Sequence, residues 1–140
     1  MFLTRLVYAS TIEQGFDLST VEEIISSARK HNSALDVTGM LCFDRHYFLQ
    51  CLEGSRTNVN AVYQRILNDK RHSSIIMLDY REVSARDFSH WSMGYIPSSS
   101  LTAPLYLRYS GASEFNPYHM SGESAYQLLL DLKNALPTIS

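Results

Sequence analysis

Hydrophobic and polar positions follow two different spacings near the start of the chain. Residues 3–10, "LTRLVYAS", are rich in β-branched and aromatic side chains, which is typical of a strand. From Ser19 the apolar positions recur at helical spacing, and Ser19 with Glu22 forms a capping box that predicts the helix start. The apolar stripe of this helix contains Val21, Ile24, Ile25 and Ala28, and the polar residues His31 and Asn32 end it.

The following segments predict three more strands, a second helix and a fifth strand. Residues 39–54, "GMLCFDRHYFLQCLEG", indicate a β-hairpin around a polar turn. Val59, Val62, Tyr63 and Ile66 mark a second helix, "SIIMLDYREV" a fourth strand and "WSMGYI" a fifth. The order β-α-β-β-α-β plus one strand predicts a ferredoxin-like α+β fold, with both helices on one face of a largely antiparallel sheet.

The last third of the chain predicts a cover for the second face of the sheet. The segment "PSSSLTAPLYLRYSGASEFNP" is a connection around a short apolar helical turn. It is followed by an amphipathic helix that Pro137 ends, with apolar positions at Ala125, Leu128, Leu129, Leu132 and Leu136. The uncovered face includes the apolar positions Val7, Ala9, Met40 and Leu49. We expect the C-terminal helix to pack on it.

Strand alternation places one glutamine among apolar residues. If Arg45 and His46 form a two-residue loop, Phe43 pairs with Phe48 and Leu41 with Gln50. If the Tyr8 side of the first strand also faces the helices, Gln50 converges with Tyr8 and with the polar end of the first helix, His31 and Asn32, on one interior site. A buried amide costs a few kcal/mol unless its hydrogen-bonding groups are satisfied. The cluster therefore needs a polar ligand, or Tyr8, Gln50 and Asn32 form a satisfied network of the core.

Composition and charge narrow the class of protein. The 140 residues fit one domain, with 45% hydrophobic and 19% charged residues, and no apolar run is long enough to span a membrane. The net charge of −2 gives no general reason to bind nucleic acid. The amino terminus lacks the features of a signal peptide, so we expect a cytoplasmic protein. Cys42 and Cys51 are expected to be buried free thiols, because no metal-binding spacing is present.

No enzymatic motif stands out. Ser10, His31 and Glu53 make a triad only on paper, because no nucleophile-elbow pattern accompanies them. Near the end of the second helix, Arg65, Lys70 and His72 are candidates to meet phosphates. Such a run of charges is also typical of a solvated helix end.

Five motifs together resemble one family. The segments "RLVYAS", "HNSALDVTGMLCFD", "FLQCLEG", "RILNDKRH" and "FSHWSMGY" are similar to the BLUF domain, a flavin-binding blue-light sensor. The rest of the chain resembles the two-helix C-terminal extension of short PixD-like members. The resemblance implies a flavin-binding domain over residues 1–97 and a helical extension over 98–140 that packs on the sheet as part of the same compact unit.

The resemblance also implies roles for the polar cluster. Tyr8 would donate an electron and a proton to the flavin, and Gln50 would be the switching amide beside flavin N5 and O4. Asn32 would bond the O4 and N3 edge. His31 would lie at the N3 and O2 edge, where many short members have a second asparagine. Trp91 and Met93 match the residues that compete in the family for proximity to Gln50.

Further positions are expected to hold the rest of the cofactor. The phosphate end would be approached by Arg65, Lys70 and His72, and helices one and two would line the ring with Ile24, Ile25, Ala28 and Ile66. The family default is FAD, with FMN and riboflavin as alternatives. No metal site is expected.

The resemblance predicts a photoswitch without a chemical product. Its signal would pass to a response-regulator-like or other signalling protein in trans, from a ring-shaped homo-oligomer. The tyrosine-rich segment 105–119 is a candidate interface, or equally packing between the last helix and the sheet. Two other classes stay open: a non-photoactive ferredoxin-like ligand-binding or interaction module, and a flavin-dependent redox enzyme. The enzyme would need a second substrate site or a nicotinamide-binding element, which no motif indicates.

Overall fold

The chain alternates strands and helices around one sheet. The computed structural model describes residues 2–15, 17–89, 91, 93–99, 102–112 and 114–136. The elements, in chain order, are β1 (Leu3–Ile12), α1 (Leu18–Ala34), β2 (Thr38–Phe43), β3 (Tyr47–Ser55), α2 (Arg56–Leu67), β4 (His72–Val83), β5 (Gly94–Pro97), α3 (Ala103–Leu107), a 3₁₀ turn (Pro117–His119) and α4 (Gly122–Ala135).

The sheet has the predicted ferredoxin-like arrangement with a fifth strand. Its order is β4-β1-β3-β2-β5. The pairs β1–β3, β1–β4 and β2–β3 are antiparallel, and β2–β5 is parallel. The α+β prediction is therefore confirmed, with one parallel pair at the edge of a largely antiparallel sheet.

The hairpin between β2 and β3 has the predicted register. Phe43 pairs with Phe48 and Leu41 with Gln50. The Asp44 amide donates to the Tyr47 carbonyl at 3.1 Å, which closes the turn around Arg45 and His46. The Asp44 carboxylate accepts from the amides of both residues that follow Arg45, a pattern by which aspartate stabilises turns. The turn and the two-residue period of the strands thus fix which face Gln50 occupies.

The two faces of the sheet carry separate cores. We call the side covered by α1 and α2 the cavity face; its strand residues include Leu6, Tyr8, Leu41, Phe48, Gln50 and Leu52. We call the other side the packed face; its strand residues include Val7, Met40, Cys42, Leu49 and Cys51, and α4 packs on it with Ala125, Leu128, Leu129 and Leu132. The prediction that the C-terminal helix covers the second face is confirmed. Both cysteines are buried free thiols, as expected.

Helix α4 approaches the sheet closely at its first residue. A Cβ on Gly122 would lie 2.1 Å from the Leu78 carbonyl oxygen, so only glycine fits there. Ser121 caps the helix by accepting from the Ser124 amide at 3.0 Å. Leu128, Leu129 and Leu132 are each at most 1% exposed. This face is therefore filled by protein side chains.

The loop between β4 and β5 is tied to both β3 and α4. Glu53 of β3 is fully buried, and its carboxylate accepts from the amides of Asp87 and Phe88, each at 2.8 Å. The Tyr126 hydroxyl of α4 donates to the Asp87 carboxylate, and Lys133 donates to the Asp87 carbonyl. The loop is thus held from a central strand and from the C-terminal helix.

Several element boundaries differ from the predictions. Helix α1 is capped by Asp17, whose carboxylate accepts from the Thr20 amide at 3.2 Å, so the capping box at Ser19 was wrong. Strand β1 extends to Ile12, and β4 starts at His72. Strand β5 starts at Gly94, so Trp91 and Met93 precede it. The predicted helix stop at Pro137 lies outside the described residues.

Candidate functional site

A cavity of about 250 Å³ lies between α1, α2 and the cavity face of the sheet. Small-molecule sites usually start at about 300 Å³, so this cavity is slightly smaller than that range. Of the predicted site residues, the structure places these in its lining: Tyr8, Ile24, Ile25, Ala28, His31, Asn32, Gln50, Arg65, Ile66, His72 and Met93. A second cavity, of about 710 Å³ near Leu18 and Phe43, contains none of them.

A chain of three side chains crosses the sheet floor of the cavity. The β1–β3 register sets Tyr8 directly opposite Gln50. The Tyr8 hydroxyl donates to Oε1 of Gln50, and Nε2 of Gln50 donates to Sδ of Met93 at 3.1 Å. All three residues are at most 5% exposed. The buried glutamine is therefore satisfied at each end, by an acceptor contact with a phenol and a weaker donor contact with a thioether.

Burial controls the protonation state of Tyr8. Desolvation raises the pKa of the Tyr8 phenol well above its ordinary value, because the charged phenolate is disfavoured in the core. Tyr8 therefore stays a neutral hydrogen-bond donor throughout the physiological range. Its ring lies 5.9 Å, centroid to centroid, from the ring of Tyr63 on α2.

Helix α1 supplies an apolar wall that ends in polar groups. Ile24, Ile25 and Ala28 are followed, at helical spacing, by His31 and Asn32. Asn32 is 1% exposed. His31 Nδ1 lies 2.8 Å from the Ser27 carbonyl oxygen, which can only accept, so Nδ1 donates this hydrogen bond and leaves Nε2 for a ligand. The wall thus offers an amide and an imidazole nitrogen beside aliphatic surface.

The opposite end of the cavity is basic, but not with all the expected residues. Arg65 and His72 line it, whereas Lys70 is exposed and does not; Arg71 lines it instead. Arg71 forms an ion pair with Asp69 at 2.7 Å, and the hydrogen bonds from Arg71 hold the pKa of the Asp69 carboxyl below its ordinary value. Arg71 lies within the charged run "NDKRH", where nothing in the sequence distinguishes it from its neighbours.

His72 occupies a different environment from a phosphate-binding cation. It is 5% exposed, its Nδ1 lies 2.8 Å from the Ser10 hydroxyl, and its ring lies 5.9 Å from the ring of Phe48. Burial lowers the pKa of its imidazole, so the ring is neutral at pH 7. His72 therefore contributes hydrogen bonding and packing at the cavity, and the net positive charge comes from Arg65, because Arg71 is paired with Asp69.

Met93 and Trp91 lie on opposite faces of the sheet. Met93 is 1% exposed and points into the cavity toward Gln50. The ring of Trp91 stacks on Phe88 with centroids 6.3 Å apart, and it packs against the core of the packed face. The competition expected between the two residues thus has a definite outcome in this structure, with Met93 beside the glutamine.

The lining matches a ligand with a flat heteroaromatic ring and a phosphate end. An isoalloxazine has apolar faces, which Ile24, Ile25 and Ile66 suit, and an edge of alternating carbonyl and N–H groups, which Asn32 and His31 suit. A diphosphate suits the arginine end of the cavity. The residues present therefore fit FAD. In the part of the chain that the structure describes, no group of His, Cys, Asp or Glu could hold a metal ion.

Residues 3–94 match the model of the BLUF family, sensors of blue-light using FAD. The chain belongs to the BLUF family. BLUF domains bind FAD, so the cofactor expected from the motifs is that of the family. The domain is a light sensor and not an enzyme. The predicted family, cofactor class and sensory role are confirmed.

Similar proteins include both long and short BLUF proteins. The chain is 37% identical over 91 residues, 65% of its length, to the blue light- and temperature-regulated antirepressor BluF of Escherichia coli (strain K12), but spans only 23% of that relative. The photo-activated state of BlsA shares 28% identity with a TM-score of 0.88, covering 99% of both chains. The dark state structure of BlrB, a BLUF protein, shares 26% identity with a TM-score of 0.80, covering 96% of both.

Sequence reasoning missed several residues that shape the cavity. The lining also includes Ser27, Leu41, Phe48, Val62, Asp69 and Arg71. Ser27 precedes His31 by one helical turn and Val62 belongs to the apolar stripe of α2, so the helical spacing itself was the signal for both.

No helix within the described ranges is long and apolar enough to cross a membrane.

Proposed function

We propose that this BLUF protein is a reversible photoswitch in which Tyr8 and Gln50 convert light absorption into a change of hydrogen bonding. The observation that carries the proposal is the continuous contact from Tyr8 through Gln50 to Met93 along the sheet floor of the cavity. The FAD for which the cavity is suited supplies blue-light absorption and, once excited, a strong oxidant. The protein supplies the electron, the proton and the amide that rearranges.

Tyr8 is suited to lose an electron and a proton together. Its phenol is neutral in the dark because burial raises its pKa, but oxidation makes a phenol strongly acidic. The Tyr8 hydroxyl already donates to Oε1 of Gln50, so the proton has an acceptor at hydrogen-bond distance. When the electron returns to Tyr8, the phenol regains a proton and the net chemistry is zero.

Gln50 is suited to record the event. In the structure its Oε1 accepts from Tyr8 and its Nε2 donates to Met93, and we assign this arrangement to the dark state. A glutamine that has accepted and passed on a proton can be left rotated or as its tautomer, with donor and acceptor ends exchanged. Either outcome replaces the Gln50–Met93 contact, which is the weaker of the two because a thioether is a poor acceptor. Met93 then transmits the change to the segment before β5.

The signal is proposed to leave through other proteins. We propose that the protein is cytoplasmic and forms a ring-shaped homo-oligomer. This oligomer binds a response-regulator-like or other signalling protein in trans. The exposed side chains Ile76, Met77 and Tyr80 on the edge strand β4 support a contact surface there. Tyr106 and Phe115 support packing rather than an interface for the tyrosine-rich segment, because both are buried with ring centroids 5.7 Å apart. We also propose that residues 1–97 form the light-sensing domain and 98–140 its extension.

The test is the visible absorption spectrum of the FAD-loaded protein in the dark, after a blue flash and during recovery. We expect a reversible red shift in the wild type and in the control Gln64→Ala, whose side chain is exposed on α2 away from the cavity. Gln50→Ala should bind FAD and show no shift. A bound flavin that never shifts in the wild type would contradict the proposal and favour a ligand-binding module without photochemistry.

A further inference from the structure

Arg29 of α1 contacts the backbone of Met93. Its Nε donates to the Met93 carbonyl oxygen at 3.0 Å, and its guanidinium carbon lies 5.3 Å from the centroid of the Tyr95 ring. The bond is partly buried and is charge-assisted, which makes it stronger than a bond between neutral groups. Helix α1 is therefore bonded to the segment that carries the partner of Gln50.

The Arg29 contact lies between two backbone attachments of the same segment. The Gly39 amide of β2 donates to the Trp91 carbonyl at 3.0 Å, and the β2–β5 ladder begins with Met40 opposite Gly94. Met93 lies between these two points. Arg29 of α1 bonds the Met93 carbonyl, while the Met93 side chain contacts Gln50 in the cavity.

We propose that Arg29 is a positioning residue that keeps Met93 beside Gln50 and Trp91 on the packed face. The inference rests on the proposed function, in which Gln50 is the switching group. Exchange of Met93 and Trp91 would require the Met93 carbonyl to leave Arg29, because the Met93 side chain cannot turn away from Gln50 without turning its own backbone. Arg29 therefore favours the dark arrangement over the exchanged one.

The test compares Arg29→Gln and Arg29→Lys with the control Lys30→Gln, the exposed neighbour on α1. Trp91 is the only tryptophan of the chain, so tryptophan emission of the FAD-loaded protein in the dark reports its position directly. We expect Arg29→Gln to quench Trp91 emission, since the ring moves toward the flavin, and to slow dark recovery about three- to tenfold. In Arg29→Lys, Trp91 emission and the recovery rate should lie between those of Arg29→Gln and the wild type, because the lysine ammonium can donate one bond. Lys30→Gln should match the wild type.

Urea unfolding of Arg29→Gln and Lys30→Gln separates positioning from general stability. If Arg29 acts on the Met93 carbonyl, Arg29→Gln changes Trp91 emission and recovery in protein that is still folded and loaded with FAD. Wild-type emission and recovery in Arg29→Gln would overturn the inference. The emission measurement needs no photocycle. A wild type without a red shift would therefore overturn the photoswitch alone, and Trp91 emission would still decide whether Arg29 sets the position of Trp91.

Discussion

The two faces of the sheet are built from alternate residues of the same strands, yet they differ in how they are filled. On the packed face, α4 sets three leucines onto Val7, Met40 and Leu49 and their neighbours. On the cavity face, α1 and α2 cover the sheet but leave about 250 Å³ between them. Buried polar side chains occur elsewhere too, as Glu53 shows, but only those of the cavity face line an open space.

The difference shows that burial alone does not identify a site. Gln50 at 5% exposed and Leu49 at 0% are neighbours in sequence and equally part of the interior. What separates them is that Leu49 meets apolar side chains of the protein, while Gln50 lines a space that a polar ligand can enter. A buried polar residue on a face with residual volume is therefore a better indicator of function than burial or polarity alone.

The largest effects are expected from truncating a large side chain on each face. Leu132→Ala on α4 should lower the free energy of unfolding by about 2–5 kcal/mol, because it leaves a hole in a filled core. It should leave FAD affinity unchanged. Ile25→Ala on α1 should weaken FAD binding as well, since Ile25 lines the cavity. Urea unfolding and FAD titration measure the two quantities, and equal FAD affinity in both variants would contradict the division of the faces.

Two tyrosines allow a matched comparison of hydrogen bonds. Tyr8→Phe and Tyr106→Phe each remove a buried hydroxyl, and Tyr106 donates to the Asn116 carbonyl at 3.0 Å behind the packed face. Each should cost about 1–3 kcal/mol of stability, because an acceptor is left unsatisfied. Only Tyr8→Phe should abolish the light-induced red shift. Loss of the shift in both variants would show that it depends on stability and not on Tyr8.

His72 should make stability fall in mild acid. Burial lowers the pKa of His72 in the folded state below its ordinary value of 6.5, so the unfolded chain takes up the proton first. The stabilisation is therefore present above pH 6.5 and is lost as the pH falls toward the lowered pKa, at no more than about 1.4 kcal/mol per pH unit.

Unfolding by urea at pH 7.5 and 5.5 measures this effect, and His72→Gln should reduce the difference between the two values. The exposed turn residue His46 provides the control, and His46→Gln should keep the wild-type difference. An unchanged difference in His72→Gln would assign the acid sensitivity to other groups.

The smallest effects are expected at the basic end of the cavity. Arg65→Ala should weaken FAD binding by about 1 kcal/mol, or roughly fivefold, because an exposed cation contributes little more than this to an anion. Lys70→Ala should change the affinity less than twofold, since Lys70 lies outside the lining. The contrast should shrink at high salt. Titration with FMN would show whether the loss of affinity in Arg65→Ala depends on the second phosphate. An equal loss of FAD affinity in Arg65→Ala and Lys70→Ala would show that Lys70 also contacts the cofactor.

Much of the floor of the site was predictable because strand geometry is periodic. Once the turn at Arg45 and His46 was recognised, the two-residue period fixed the partner of Gln50 and its face. The end of the first helix followed in the same way, because His31 and Asn32 continue the stripe of Ala28. These inferences needed only local sequence and the fold class.

Other features depend on contacts that the sequence does not display. Ser19 and Glu22 satisfy the capping pattern, but Asp17 accepts from the Thr20 amide and starts the helix earlier. The strand-like composition of residues 91–93 gave no sign that the sheet ladder starts only at Gly94. In the sequence Arg29 is a charged residue of the kind that usually lies on a solvated helix surface. Only the tertiary structure brings it to the Met93 carbonyl.

Strand β3 connects the cavity to the loop before β5. Gln50 projects from one face of this strand and Glu53 from the other. The two residues are three positions apart, which is about 10 Å along the strand. The Glu53 carboxylate grips the backbone of Asp87 and Phe88. A shift of β3 along its own axis would therefore move the loop, which is bonded to Tyr126 and Lys133 of α4. The C-terminal helix is thus coupled through this loop to the strand that carries the glutamine.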